Sequence, residues 1–150
     1  MASFTSTHAE TRALPVSPAH AAERFAQPAR QASCHPELAE ATVIDPTRVR
    51  MAMKEMAHGP VKFAGRYTLS FTRDGNNVSW VSSDGNLHVQ GRAHFLQGPG
   101  GCTMDFKEEV RLDLDLNRVL AGVIRPIAEA MMKKGMRGFV ERMAASITSD

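Results

Sequence analysis

Five short turn signals divide the middle of this 150-residue chain. They are Asp45-Pro46-Thr47, His58-Gly59-Pro60, Asp74-Gly75-Asn76, Asp84-Gly85-Asn86 and Gly98-Pro99-Gly100-Gly101. Asp-Gly and Gly-Asn between β-rich runs are strong hairpin signals. The spacing predicts about six sequential antiparallel strands, over 38–45, 48–57, 61–73, 77–83, 87–97 and 102–115. Residues 3–14 alternate small polar and β-favouring side chains and read as one strand more.

Alternation along the strands assigns their faces. Over 61–71 the odd positions carry Val61, Phe63, Gly65, Tyr67, Leu69 and Phe71, against Lys62, Arg66 and Thr68 among the even ones. Over 87–95 the odd set is again the apolar one. Over 102–114 the even set, with Met104, Phe106, Val110 and Leu112, lies opposite Lys107, Glu109 and Arg111. Each strand has one wet face, so the chain predicts a one-sided antiparallel sheet that something must cover.

The last segment can cover it. Asn117 is a good N-cap. Leu120, Val123, Ile124, Ile127, Met131, Phe139, Met143 and Ile147 fall close to one helical stripe. A helix of roughly 30 residues is about 45 Å long, enough to lie across the sheet. Pro126 sits inside it, four residues after Gly122, which predicts a bend there and a more mobile first half. Between the first strand and the meander, Ser17-Pro18 starts a short helix and Gln27-Pro28 separates it from a second, about 28–34.

Composition narrows the function classes. Hydrophobic residues make up 43% and charged residues 23%, so the chain folds without a metal or a disulfide framework. It reads as a single domain, 1–150. A formal charge of +2 falls far short of a nucleic-acid binder's footprint. The most apolar stretch, 119–132, is broken by Arg125, Pro126 and Glu129 and does not suit a membrane span. The start of the chain has neither a basic region nor an apolar run, and the two cysteines lack CxxC spacing, so a cytoplasmic protein with reduced thiols is expected.

Strand, two short helices, six-strand meander and long C-terminal helix: this order resembles the SRPBCC superfamily, also called START-like or birch-pollen-allergen-like. Leu14-Pro15-Val16-Ser17-Pro18 looks like that superfamily's strand exit before the first helix. Ser33-Cys34-His35-Pro36-Glu37 and Val61-Lys62-Phe63-Ala64-Gly65 resemble segments of one branch, the G-type accessory component of carbon monoxide dehydrogenase. Ser33 and Glu37 depart from that branch's alanine and glycine. The resemblance implies an α+β helix-grip fold, a curved antiparallel sheet of about seven strands around the C-terminal helix. It also implies an apolar cavity between sheet and helix for lipids, quinones or polyketide-like molecules.

The residues offer few catalytic constellations. His88 and His94 share a strand face, but six residues put them about 20 Å apart, too far to ligate one ion. No HExxH, CxxC pair or carboxylate cluster suggests a metal, no Gly-rich phosphate loop suggests a nucleotide, and no cofactor is expected. Ser79, Ser82 and Ser83 lie outside any G-x-S-x-G elbow. Lys133, Lys134, Arg137 and Arg142 sit largely off the apolar stripe, as a solvated face or as a contact for an anionic membrane surface or acidic partner.

Nine methionines are more informative. Methionine adapts to irregular shapes, and Met51, Met53, Met104, Met131 and Met143 all fall at inward positions. The expected ligand walls are Met51, Met53, Phe63, Tyr67, Leu69, Trp80, Met104, Phe106, Ile127 and Met131. Glu108 shares its face with Phe106 and Val110 and is expected to point inward, either partnered by Tyr67 or Arg125 or, if unpaired, with a pKa raised by desolvation. Three functions follow. The preferred one is binding of a small hydrophobic molecule. The second is a cyclase or dehydratase using Glu108, Glu55 or Tyr67. The third is an accessory subunit that recruits a partner through an outer face.

Overall fold

The computed structural model describes residues 1–149. The elements are β1 (Ala2–Leu14), α1 (Pro18–Phe25), α2 (Pro28–Ser33), β2 (Leu38–Asp45), β3 (Arg48–Met53), β4 (Met56–His58), β5 (Val61–Phe63), β6 (Arg66–Asp74), β7 (Asn77–Ser83), β8 (Leu87–Gly98), β9 (Gly101–Leu114) and α3 (Arg118–Thr148). Seven strands form one antiparallel sheet in the order β1-β9-β8-β7-β6-β3-β2. Within it β2 to β9 follow chain order except that β3 pairs directly with β6, the β4–β5 segment lying outside the sheet, and β1 closes the sheet against β9.

Two expected strands are each split. Residues 48–57 break after Met53, and 61–73 break before Arg66. The pieces β4 and β5 pair with each other as a separate hairpin. Its turn holds Gly59 at φ +59°, a conformation glycine adopts freely. The main sheet resumes where the Met53 N–H donates to the Gly65 carbonyl at 2.8 Å. The detached hairpin leans toward α3 and shapes the pocket between them.

Local chemistry sets the helix boundaries. The Ser17 hydroxyl accepts from the His20 N–H at 3.2 Å, and Pro18 opens α1. The Asn117 side chain accepts from the Leu120 N–H at 2.9 Å and starts α3, which continues as one helix through Pro126. At its far end, Arg24 donates to the Ile147 carbonyl and Arg30 to the Ser146 carbonyl, both at 2.8 Å. These guanidiniums satisfy carbonyls that a helix end leaves free and complement its negative pole. Arg142 adds a bond to the Cys34 carbonyl at 2.7 Å. The α1–α2 pair thus holds the second half of α3.

The face that α3 buries differs from the expected stripe. Its buried residues are Ala121, Ile124, Ala128, Met136, Phe139, Val140, Met143, Ala144 and Ile147. Leu120, Ile127 and Met131 are half-buried, and Val123 is 57% exposed. The cause is a close approach. Ala121 and Ala128 are small enough for the helix to settle on β1, where Phe4 shares a buried cluster with both and with Ile124. The Ser6 hydroxyl seals the contact by donating to the Glu129 carbonyl at 2.7 Å. Arg125 lies over the Phe4 ring, 4.9 Å from its centre, and donates to the Ser3 carbonyl.

Candidate functional site

A pocket of about 320 Å³ opens between the detached hairpin and the first half of α3. Glu55, Met56, Ala57, His58 and Phe63 form one wall, and Ile124, Ile127, Ala128 and Met131 form the other. The splitting of the expected strands creates the first wall. The seating of α3 on β1 turns Ile127 and Met131 toward it. Most of the lining is apolar, and the polar side chains, Glu55 and His58, are exposed. Such a site suits an apolar molecule with few polar groups.

The ten expected wall residues divide between this pocket and the core. Phe63, Ile127 and Met131 line the pocket. Met51, Tyr67, Leu69, Trp80, Met104 and Phe106 are buried in the main core, and Met53 packs half-buried against it. Between the sheet and the second half of α3 the aromatic rings of Phe25, Trp80, Phe95, Phe106 and Phe139 stand together, with Phe25 5.2 Å from Trp80 and 5.7 Å from Phe95. Met143 lies in the same core, beside Cys34, whose thiol approaches the Met143 sulfur at 3.6 Å.

A carboxyl lies in that core. Glu108 is 6% exposed, on the inner face with Phe106 and Val110. Its partner is neither of the two expected, Tyr67 or Arg125. The indole N–H of Trp80 donates to Glu108 Oε2 at 2.8 Å. Register explains this: Phe71, Trp80, Gly91, Glu108 and His8 form one row across five strands. Gly91 separates Trp80 from Glu108 and has no side chain, so the indole lies across it. A Cβ at position 91 would fall onto the indole, 2.7 Å from Trp80 Nε1. Burial pushes the Glu108 pKa up to about 7, against the smaller lowering effects of His35 and the Trp80 bond.

His35 and Glu37 join this region, where the sequence reading does not place them. The His35 ring stacks on Phe139, centroids 4.4 Å apart and planes within 5°. Its Nδ1 pairs with Glu37 Oε1 at 3.1 Å. Burial alone would raise the Glu37 carboxyl, but the His35 bond and charge hold it below the usual range. Tyr67 feels both Glu108 and Glu37, and its hydroxyl is pushed well above its ordinary pKa, chiefly by burial. The sequence does carry a signal: a histidine and a glutamate flank Pro36 at the exit of α2. Glu55, the other expected acid, lies at the pocket rim. Among the described residues no group of three or more His, Cys, Asp or Glu converges as a metal-ligand set.

Neither protein-family models nor curated proteins match this sequence. Solved structures do. A START superfamily protein from Mycobacterium smegmatis matches with TM-score 0.67 over 94% of this chain and 96% of its own, at 10% identity. The Zhui aromatase/cyclase from Streptomyces sp. R1128 matches with TM-score 0.66 over 97% and 94%, also at 10% identity. Norcoclaurine synthase from Thalictrum flavum, in complex with dopamine and hydroxybenzaldehyde, matches with TM-score 0.60 over 97% and 87%, at 10% identity. The chain therefore has the helix-grip fold of the START-like SRPBCC proteins. Likeness at this level of identity establishes the architecture, and the site has to be argued from its own residues.

Proposed function

We propose that this protein binds a small hydrophobic molecule, of lipid, quinone or polyketide type, in the pocket between the β4–β5 hairpin and the first half of α3. The observation that carries the reading is the pocket itself, about 320 Å³ and lined chiefly by Phe63, Ile124, Ile127, Ala128, Met131 and Met56. Methionine and isoleucine walls accept varied apolar shapes, and the exposed Glu55 and His58 at the rim can meet a ligand's polar end. Support comes from fold neighbours that act on small organic molecules, an aromatase/cyclase and a synthase holding dopamine and hydroxybenzaldehyde.

A second reading is acid–base chemistry at Glu108. Its support is a buried carboxyl with a pKa of about 7 near the His35–Glu37 pair, a value suited to proton transfer at neutral pH. Binding stays the preferred reading, because Glu108 does not line the apolar pocket between the hairpin and α3.

Protein purified from its own host is expected to carry an apolar molecule visible by native mass spectrometry. A panel of quinones, fatty acids and polyketides is expected to contain a member that raises the melting temperature. At a hundredfold excess over Kd the rise is about 5–10 °C for a domain of this size. Absence of both a co-purified molecule and any shift counts against binding.

A further inference from the structure

The outward face of α3 divides along its length. Val119, Val123, Pro126 and Ala130 are exposed and follow at spacings of four, three and four residues, which places them on one ridge. Val119 is 77% exposed and Val123 57%. Single exposed valines are ordinary, but a ridge of them beside the pocket wall is a patch of the kind that marks an interaction site. The same ridge runs on into Lys133, Lys134 and Arg137, all exposed. Across the pocket mouth, the hairpin exposes Ala57 and Pro60 between Lys54 and Lys62.

Acidic groups in the region are fewer. Glu55 stands on the rim, Glu129 is half-buried and faces Arg125 at 3.8 Å, and Glu141 lies a turn past Arg137. One side of the pocket is thus bordered by an apolar ridge that runs on into cations, with Glu55 and His58 on the rim.

We propose that this ridge docks the pocket mouth onto the surface of an anionic phospholipid bilayer. The proposal rests on the ligand-binding reading and adds where the ligand comes from. Valines and proline on a helix ridge seat at the headgroup boundary, while lysines and arginine beside them meet the negative leaflet. A soluble acidic partner would use the cations but give the valine ridge no role. With the mouth facing lipid, an apolar ligand passes between bilayer and pocket without entering water.

Co-sedimentation of the full chain with vesicles tests this, using phosphatidylcholine alone and phosphatidylcholine mixed with phosphatidylserine. Binding is expected only to the mixed vesicles, and it is expected to fall with added salt. Lys133→Glu, Lys134→Glu and Arg137→Glu combined are expected to weaken it about a hundredfold. Val119→Ser with Val123→Ser is expected to weaken it about tenfold. These side chains are exposed, so unchanged melting temperatures will confirm folding, and Lys133→Ala with Lys134→Ala is a milder second variant.

Equal binding to both vesicle types, no binding to either, or indifference to the charge reversal overturns the proposal. So does heparin binding as tight as vesicle binding with no effect of the valine changes, which points to an acidic macromolecule. Pocket occupancy is read separately, by native mass spectrometry of the protein before and after exposure to the vesicles. Failure of docking and failure of ligand binding are therefore distinct results.

Discussion

Glu108→Gln is expected to match the wild type in stability at pH 4 and to exceed it at pH 8 by about 3 kcal/mol. The unfolded chain gives up the Glu108 proton near the ordinary 4.5, whereas the folded chain holds it until about 7. A group whose folded pKa is raised contributes fully below the unfolded value, and the contribution is lost as pH rises through the folded one. The loss runs between about pH 4.5 and 7 and amounts to about 3 kcal/mol at about 1.36 kcal/mol per unit. Glutamine carries no proton to lose, and its carbonyl oxygen can still accept from Trp80. Urea unfolding of both proteins across this range measures the difference. Trp80 is the single tryptophan, so its emission should also shift with pH in the wild type and stay level in the variant. A difference that does not change with pH would mean that Glu108 does not titrate from a buried state.

Gly91→Ala is expected to cost about 2–6 kcal/mol, far more than an alanine usually does in a strand. The new Cβ would overlap Trp80 Cζ2 and lie 2.7 Å from Nε1, well inside van der Waals contact. Trp80 cannot turn aside, because Phe25 and Phe106 pack against it at 5.2 and 5.7 Å. Overpacking of this kind costs about 1–3 kcal/mol, and losing a hydrogen bond to a carboxyl costs about as much again. Denaturant unfolding gives the cost, and a displaced tryptophan emission maximum identifies its source. A Gly91→Ala protein as stable as the wild type, with unchanged emission, would contradict the row of Trp80, Gly91 and Glu108.

The strands, the one-sided sheet, both short helices and the caps at Ser17 and Asn117 were legible from turn chemistry and alternation. These are local rules, and the neighbouring residues decide them. The inward aim of Glu108 was legible for the same reason. Its partner was not, because pairing with Trp80 depends on the register of β7, β8 and β9 together. The pocket escaped in a similar way. The β-like pattern over 48–57 does not arise from one strand: Arg48–Met53 and Met56–His58 are both β-like, and the break at Lys54 and Glu55 carries no glycine or proline. The rotation of α3 toward Ala121 and Ala128 follows from how closely a helix can approach Phe4, which a hydrophobicity stripe does not encode. His35 and Glu37 lie in a segment whose fold resemblance is legible, but the stacking of His35 on Phe139 joins residues a hundred positions apart in the chain.

The central claim, an apolar molecule held between the hairpin and α3, is tested most directly by titrating the full chain with anilinonaphthalene sulfonate, wild type beside Ile127→Trp. Ile127 is half-buried on the pocket wall, so a larger ring there fills the space while the core stays intact. The wild type is expected to bind the probe saturably at one site, and Ile127→Trp, at an unchanged melting temperature, about tenfold more weakly or not at all. No saturable binding by the wild type, or equal binding by both proteins, would contradict the account.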